Sequence, residues 1–595
     1  MFARTLARQL RTTSVTGSSY TTLLRYTMAS SVEKTPAKGS HGAKRVATTP
    51  LRSEEGSRGS YRFKNKRMRN GHAETSKILT TNGTNEEILL KDVTALIKNI
   101  NLEREGDGEK ETSKGLPERL SEIEVAIKEL SSTGDGLGFQ HGIDSDHVYV
   151  VPFAVPGDTV TAKVFKHFDK EGYSMADFVK VSTPSPDRDA SLVKCPYFSS
   201  CSGCQFQMLP YDYQLQHKKS IVEKAYKNFS NLPPELIPAI GDTIGSPLQY
   251  GYRTKLTPHF DGPPDARRSD GRNGIKRTFK EVPPIGFMKK GTRITLDIED
   301  CPIGTDAIRA GNKRERRRVA ETLSTYQRGA TILLRESTTR IAKSEYDSTT
   351  EKDPDVVIED RGNNILHRKV CVTEPNAKTT EYVDDFQFVN PASSFFQNNN
   401  SILPIFTQYI REHILPSTPN HKITHLIDAY SGSGLFTITL SSLFKSSLGI
   451  DISTSSIDCA TTNAELNSLP PSSTRFIAAD AAALFASIKS PAEETVVMID
   501  PPRKGCDESF LRQLVEYGPA RVVYVSCNVH TQARDVGVLV GGMDGVDGGF
   551  GKGQGCYEME SLRGFDFFPQ TGHVEGVAVL RRKEKMQVKA EEAKE

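Results

Sequence analysis

The stretch His425-Leu-Ile-Asp428-Ala-Tyr-Ser-Gly-Ser-Gly-Leu-Phe436 decides the fold: a short apolar run ends in an acid, and a glycine-bearing turn leads into a helical pattern. Glycines at a strand-to-helix turn let backbone approach a ligand closely. Taken alone, Gly-x-Gly serves a nucleotide, a flavin or nothing. Three more apolar runs downstream also end in an acid: Leu448-Gly-Ile-Asp451, Phe476-Ile-Ala-Ala-Asp480 and Val496-Val-Met-Ile-Asp500, the last continuing as Pro-Pro-Arg503. Strand and helix patterns alternate across residues 389–583, which predicts a Rossmann-like, doubly wound α/β domain. Four acids at successive strand ends locate a crevice for a ligand carrying hydroxyls and amines.

Within that crevice Asp451 is placed for ribose hydroxyls and Asp480 for an adenine amino group. No phosphate-binding Gly-x-x-x-x-Gly-Lys pattern accompanies them, so the order fits S-adenosylmethionine better than NAD. The next apolar run, Arg521-Val-Val-Tyr-Val-Ser-Cys527-Asn528, ends in a thiol. A lone cysteine is ordinarily a buried, inert residue. Its place at a strand's carboxyl end, between Ser526 and Asn528, favours a nucleophile. His573-Val-Glu575 then sets one acid at the start of a last apolar strand.

Upstream, the period becomes that of short strands. Ile123–Ile127, Val148–Val151, Thr159–Val164 and Phe178–Val181 predict an OB-like barrel over residues 122–184. Such barrels bind single-stranded nucleic acid through basic and aromatic residues, here Lys163, Lys166, His167 and Phe168, although a solvated strand face is the alternative. Residues 185–388 read as an α+β central domain with a basic insertion (263–277) and an acidic one (344–362), and a Gly-rich surface loop is expected at Gly541–Gly555. Thr84-Asn-Glu-Glu87 reads as a capping box opening a helix with Leu89, Val93, Leu96, Ile97 and Ile100 on one face.

Met1–Val32 holds four arginines and no acid, the composition of a mitochondrial transit peptide, and Met28 offers a start that would omit it. Lys64-Asn-Lys-Arg-Met-Arg69 suits nuclear import or an RNA-touching arm. Mitochondrion, cytosol and nucleus all stay open. The first 121 residues are thus a targeting segment, a polar tail and one helix, and residues 584–595 form a charged tail. No run of eighteen apolar residues occurs, so no membrane-spanning helix is expected. Nine cysteines in 595 residues argue against a disulfide scaffold.

Together, Asp428-x-Tyr-x-Gly-x-Gly, Asp500-Pro-Pro-Arg, Ser526-Cys-Asn, His573-Val-Glu and Asn390-Pro-Ala-Ser-Ser-Phe-Phe-Gln-Asn-Asn399 resemble the RNA 5-methyluridine methyltransferases. The resemblance spans residues 122–583 and is nearest to fungal members acting on the T-loop uridine of tRNA. It implies a class I S-adenosylmethionine-dependent domain preceded by a TRAM barrel. It implies that Gln397, Tyr430, Asp451 and Asp500 contact the cofactor with Asp480 nearby, that Cys527 is the nucleophile, and that Glu575 is the base. Leu435 stands where relatives often carry Asn, which puts one cofactor hydrogen bond in doubt. The expected partner is tRNA, or another RNA, and the expected state is a monomer.

Cys195-x5-Cys201-x2-Cys204 with the distant Cys301-Pro resembles the iron–sulfur ligands of some members. Four thiolates hold a [4Fe–4S] cluster or tetrahedral zinc, and the resemblance favours the cluster; four unliganded thiols are the alternative. Competing functions are a ribosomal RNA 5-methyluridine enzyme, a cytosine C5 methyltransferase and a non-catalytic RNA-binding protein or chaperone. The Glu575 that follows the nucleophile argues against the cytosine enzyme, and Cys527 with Glu575 argues against a purely binding role.

Overall fold

The central strands of the predicted α/β region split their side chains between two cores. Along Thr495–Ile499, Val497 and Ile499 enter one apolar cluster while Val496 and Met498 enter another. Arg521–Ser526 does the same, with Val522 and Tyr524 on one face and Val523 and Val525 on the other. A period of two with apolar residues on both faces is the signature of a sheet covered on both sides. Each such fully buried aliphatic side chain contributes roughly 1.5–3 kcal/mol, so a single charge at Met498 would disrupt the sheet.

The computed structural model describes residues 81–104, 115–263, 278–349, 351–418, 421–479, 485, 488–549 and 551–584. All belong to one compact unit, Thr75–Glu595. The arginine-bearing N-terminus, the Lys64–Arg69 cluster, insertion residues 264–277 and Asp480 lie outside the described residues.

The first described helix, α1 (Asn85–Arg104), leads into a closed barrel of β1 (Glu122–Leu130), β2 (Gly136–Gln140), β3 (Val148–Val151), β4 (Thr159–Phe168) and β5 (Tyr173–Thr183), ordered β1-β2-β3-β5-β4. The expected barrel is therefore present. Its β2, Gly-Leu-Gly-Phe-Gln, is not among the strands legible in the sequence because glycine at two of its five positions hides the strand pattern. A Cβ at Gly138 would lie 2.3 Å from the Ala126 carbonyl oxygen, so barrel closure requires the glycine that makes β2 look unlike a strand.

Helix α2 (Tyr211–Phe229) and β6 (Gly241–Ile244) follow, then a small central region. There β7 (Lys255–Leu256), β10 (Leu334–Ala342), β11 (Val357–Asp360) and β12 (Ile365–Val372) form one sheet. β8 (His259–Phe260) pairs with β9 (Ala330–Thr331), α3 (Asp306–Glu321) packs nearby, and β13 (Lys378–Val383) pairs with β14 (Phe386–Pro391).

The last region carries α4 (Leu403–His413), β15 (His425–Ala429), α5 (Leu435–Thr439), β16 (Ser446–Asp451), α6 (Thr454–Leu466), β17 (Thr474–Ala478) and β18 (Thr495–Ile499). It ends with α7 (Glu508–Tyr517), β19 (Arg521–Ser526), α8 (Val529–Gly541), β20 (Tyr557–Phe565) and β21 (Glu575–Arg582). The sheet order is β17-β16-β15-β18-β19-β21-β20-β6. β6 and α2 come from the stretch read as central domain, yet β6 completes this sheet and α2 covers one face with α8. The described residues of the Gly-rich stretch that follows α8 form a loop, and Met543 and Val546 anchor it in the core. Leu435 likewise packs in the core, beside Phe436. Among the described residues no helix is long and apolar enough to cross a membrane.

Candidate active site

Register brings the predicted residues to one edge. In the parallel part, Ala429 lies level with Ile450 and Ile499, and Ile499 with Tyr524. Tyr430, Asp451 and Asp500 therefore emerge together at the carboxyl ends of β15, β16 and β18. Strand β21 runs antiparallel to β19 with Ser526 opposite Gly576, so Glu575 at its start sits beside Cys527 at the end of β19.

Burial pushes the Cys527 thiol up to about 12, and the carboxyls of Glu575 and Asp500 add to the rise. The Arg503 guanidinium opposes them by its charge and by a hydrogen bond to the thiol. Glu575 is held well above the usual carboxylate range, first by burial and then by Asp500, with Arg503 again opposing. Asp500 is pushed up to about 7 by burial and by Asp428. Arg503, visible in the sequence only as the last residue of Asp-Pro-Pro-Arg, is thus the cation that bears on both Cys527 and Glu575. Its carbonyl accepts from Asn528 Nδ2 and from Thr531 Oγ1, each at 3.1 Å, and its Nη2 lies 3.4 Å from His573 Nδ1. Burial, followed by the charges of Arg503, Lys218 and Arg253, lowers the His573 imidazole to about 4, so it is neutral at physiological pH.

The cofactor end is built around acids that organise backbone. Asp428 accepts from Thr437 N at 2.9 Å and from Thr437 Oγ1 at 2.6 Å through Oδ2, while its buried Oδ1 and the hydroxyl of Ser431 have no partner. Asp451 accepts from Gly432 N at 3.0 Å and Ser453 N at 2.8 Å, which fixes the glycine turn against β16. Tyr430 takes a positive φ of 66° and packs on Phe510 with ring centroids 5.3 Å apart. A non-glycine residue in that conformation is uncommon and marks a constrained turn. A carboxylate oxygen without a partner, the Asp451 carboxylate and an aromatic face suit a ligand that donates from hydroxyls and amines, as S-adenosylmethionine does. Gln397 follows Phe396, which packs in the same core as Leu435 and Phe436. The adjoining Asn398 is held by Arg335 Nη1 at 3.2 Å and by Thr254 N at 2.9 Å.

Away from this edge, Cys195, Cys201, Cys204 and Cys301 line one cavity of about 180 Å³ with Tyr197, Phe198, Phe287 and Arg253. Burial raises Cys204 and Cys301 to about 12 each, and nearby thiols of the group add to the rise. Among the described residues no group of three His, Cys, Asp or Glu side chains gathers closely enough to hold a metal ion.

The candidate barrel contacts are partly committed elsewhere. Phe168 stacks on Tyr173 at 4.6 Å and packs against α1, and His167 Nδ1 lies 2.7 Å from Ser174 Oγ, while Lys166 remains exposed over the Phe168 ring. Phe168 is therefore not an open stacking face.

The family described as tRNA (uracil-5-)-methyltransferase matches residues 355–583. The tRNA (uracil(54)-C(5))-methyltransferase of Schizosaccharomyces pombe is 43% identical over 87% of this chain and 87% of its own length. That of Saccharomyces cerevisiae is 38% identical over 86% of this chain and 80% of its own. The solved Pyrococcus abyssi tRNA (uracil-54, C5)-methyltransferase, in complex with S-adenosyl-L-homocysteine, shares the fold. It aligns with a TM-score of 0.51 at 23% identity, covering 77% of this chain and all of that one. The sheet order, the clustering at its edge and this identity over most of the length lead to one conclusion: the chain belongs to the tRNA (uracil-5-)-methyltransferase family.

Proposed function

We propose that the chain methylates C5 of uridine 54 in the T-loop of tRNA, with Cys527 as covalent nucleophile and Glu575 as base. The observation that carries the mechanism is the β19–β21 register, which sets a thiol and a buried carboxyl side by side under one guanidinium.

The chemistry follows from uracil. C5 is a weak nucleophile until a thiolate adds at C6 and delocalises charge toward O4. Arg503 stabilises the Cys527 thiolate as it forms, and the new Sγ–C6 bond makes C5 nucleophilic. S-adenosylmethionine, when bound, supplies an electrophilic methyl group on a sulfonium. Tyr430, Asp451, Asp500 and Gln397 would hold it at the sheet edge. Glu575 then takes the C5 proton, and the electron pair restores the C5–C6 double bond and expels the thiolate. A carboxyl buried this deeply is a strong base once ionised, and Arg503 favours its ionised form. The target base has to leave its stack, which costs a few kcal/mol and favours a loop.

The four-cysteine cavity holds a [4Fe–4S] cluster in this reading, supported by four thiols lining one cavity and by the spacing of Cys195, Cys201, Cys204 and Cys301. The test of function is transfer of labelled methyl from S-adenosylmethionine to RNA, with the product base and position mapped. Label in 5-methyluridine at position 54 of tRNA is expected. Label confined to ribosomal RNA, or to cytosine, would sink the assignment.

A further inference from the structure

Helix α1 and the residues before it touch both the barrel and the catalytic edge. On the barrel side, Leu89, Val93 and Leu96 pack against Leu137, Phe139, Val148 and Val150, and buried Asp92 accepts from Ser132 N at 2.6 Å. On the catalytic side, Ile88 enters the core formed by α2 and α8. Half of the expected capping box forms: Thr84 Oγ1 accepts from Glu87 N at 3.3 Å, while Glu87 Oε2 reaches past the cap and accepts from Asn82 N at 3.0 Å and Gly83 N at 3.1 Å. This leaves the carbonyls of Thr81 and Gly83 facing the body.

Two side chains use those carbonyls. Asn528, next to the nucleophile, donates Nδ2 to Gly83 O and to Arg503 O, both at 3.1 Å. Arg534 donates Nη1 to Thr81 O at 2.7 Å, and Nη2 to Lys504 O at 3.1 Å and Cys506 O at 3.0 Å. Arg534 is itself fixed by Asp535, whose second oxygen accepts from Cys506 N at 2.7 Å and Tyr524 Oη at 2.6 Å. Three carbonyls of the Arg503–Cys506 loop are thus gripped by two side chains, each of which also holds the segment before α1. Gly83, with φ of +59°, fits this joint because a Cβ there would lie 2.5 Å from Thr531 Cγ2 and 2.9 Å from Asn528 Nδ2.

We propose that Thr81–Glu87 is a strap that positions Arg503 against Cys527, so that the nucleophile's readiness depends on the hydrogen-bonded joints that Asn528 and Arg534 make between the strap and the Arg503–Cys506 loop. The proposal rests on Cys527 being the nucleophile, and Gly83, Asn528 and Arg534 are positioning residues in it. A helix that merely covers apolar surface would affect stability and leave the thiol unchanged.

The test is the pH profile of Cys527 alkylation by iodoacetamide, read by peptide mass in the full chain without RNA or S-adenosylmethionine. Gly83→Ala should move the profile up by about one pH unit, a tenfold slower reaction at fixed pH. It should also lower kcat while KM for tRNA stays put. Thr531→Ser in the same chain removes the opposing methyl, keeps the hydroxyl on Arg503 O, and should recover most of the loss. Ile88→Ala, a packing change, should lower the melting temperature and leave the profile in place. If Gly83→Ala does not fold, Arg534→Lys, which keeps the charge beside Asp535 but loses the fork, should give the same shift. An unmoved profile in the strap variant that folds, or an equal shift in Ile88→Ala, overturns the strap. Because alkylation needs no substrate, a wild type that methylates no RNA would overturn the function while leaving this result to stand by itself.

Discussion

Two thiol sites in this molecule start from the same chemistry and end in different places. Cys527 and the four cysteines of the cavity are all pushed up by burial. At Cys527 a guanidinium donates to the sulfur and two carboxyls stand nearby, so one thiolate can form and a proton acceptor is at hand. Cys301 has instead three sibling thiols raising it further and no cation offsetting them. A thiol among thiols ionises only with a shared positive load such as iron, whereas a thiol beside an arginine ionises alone. The two sites are also joined. Beside Cys204, Gln205 N and Phe206 N donate to Gln570 O at 2.7 and 3.1 Å, and Gly572 N donates to Gln205 Oε1 at 2.9 Å. The cysteine loop therefore grips the segment that runs into Glu575.

The largest effect that can break this contrast comes from the lone thiol and its base. Cys527→Ala should bind RNA, form no covalent complex and transfer no methyl group. Glu575→Gln should still attack and methylate, then stall as an RNA–protein adduct on a denaturing gel. RNA carrying 5-fluorouridine should trap the wild type in the same way, since fluorine does not leave as a proton. Each replacement should lower turnover by at least about a hundredfold. Normal methylation by Cys527→Ala, or free turnover by Glu575→Gln, would show that the roles are misassigned.

The grouped thiols should fail differently. Protein purified without oxygen should be brown with about four iron atoms per chain, and Cys301→Ser should lose both colour and iron. Through Gln205 and the Gln570–Gly572 segment the variant should lose about tenfold in methylation, while Cys527 alkylation without substrate stays as in the wild type. Stoichiometric zinc without iron would refute the cluster.

How much of this was readable in advance follows from what each element depends on. The strands ending in Asp428, Asp451, Asp500 and Cys527 were legible because a buried parallel strand is a continuous apolar run. Glu575 was visible for the same reason, but its place beside Cys527 needs β21 to insert antiparallel between β19 and β20. Arg503 was on view in Asp-Pro-Pro-Arg, yet nothing local says that it turns back to a thiol on the next strand. The contribution of β6 to the sheet was hidden because four residues, Gly-Asp-Thr-Ile, carry no periodic signal. Helix α1 was foreseen from its capping box, but its seat was not, since an amphipathic face names no partner. A carbonyl such as Gly83 O has no sequence signature at all.

The smallest and sharpest probe is the cation itself. Arg503 lowers the Cys527 pKa by charge and hydrogen bond against burial, Glu575 and Asp500, which raise it. Thiolate is the reactive form, so below its pKa the alkylation rate rises tenfold for each pH unit, and any change that raises the pKa shifts the curve to higher pH. Arg503→Gln removes the lowering influence and keeps a donor of similar reach, so Cys527 should react about tenfold more slowly at pH 8. Cys459, whose raised pKa comes from burial and Asp458 and owes nothing to Arg503, supplies the internal reference in the same digest. Its rate should not move. A variant in which both thiols slow together would mean that Arg503 holds the fold rather than the thiolate, and a variant in which neither slows would mean that burial alone governs Cys527.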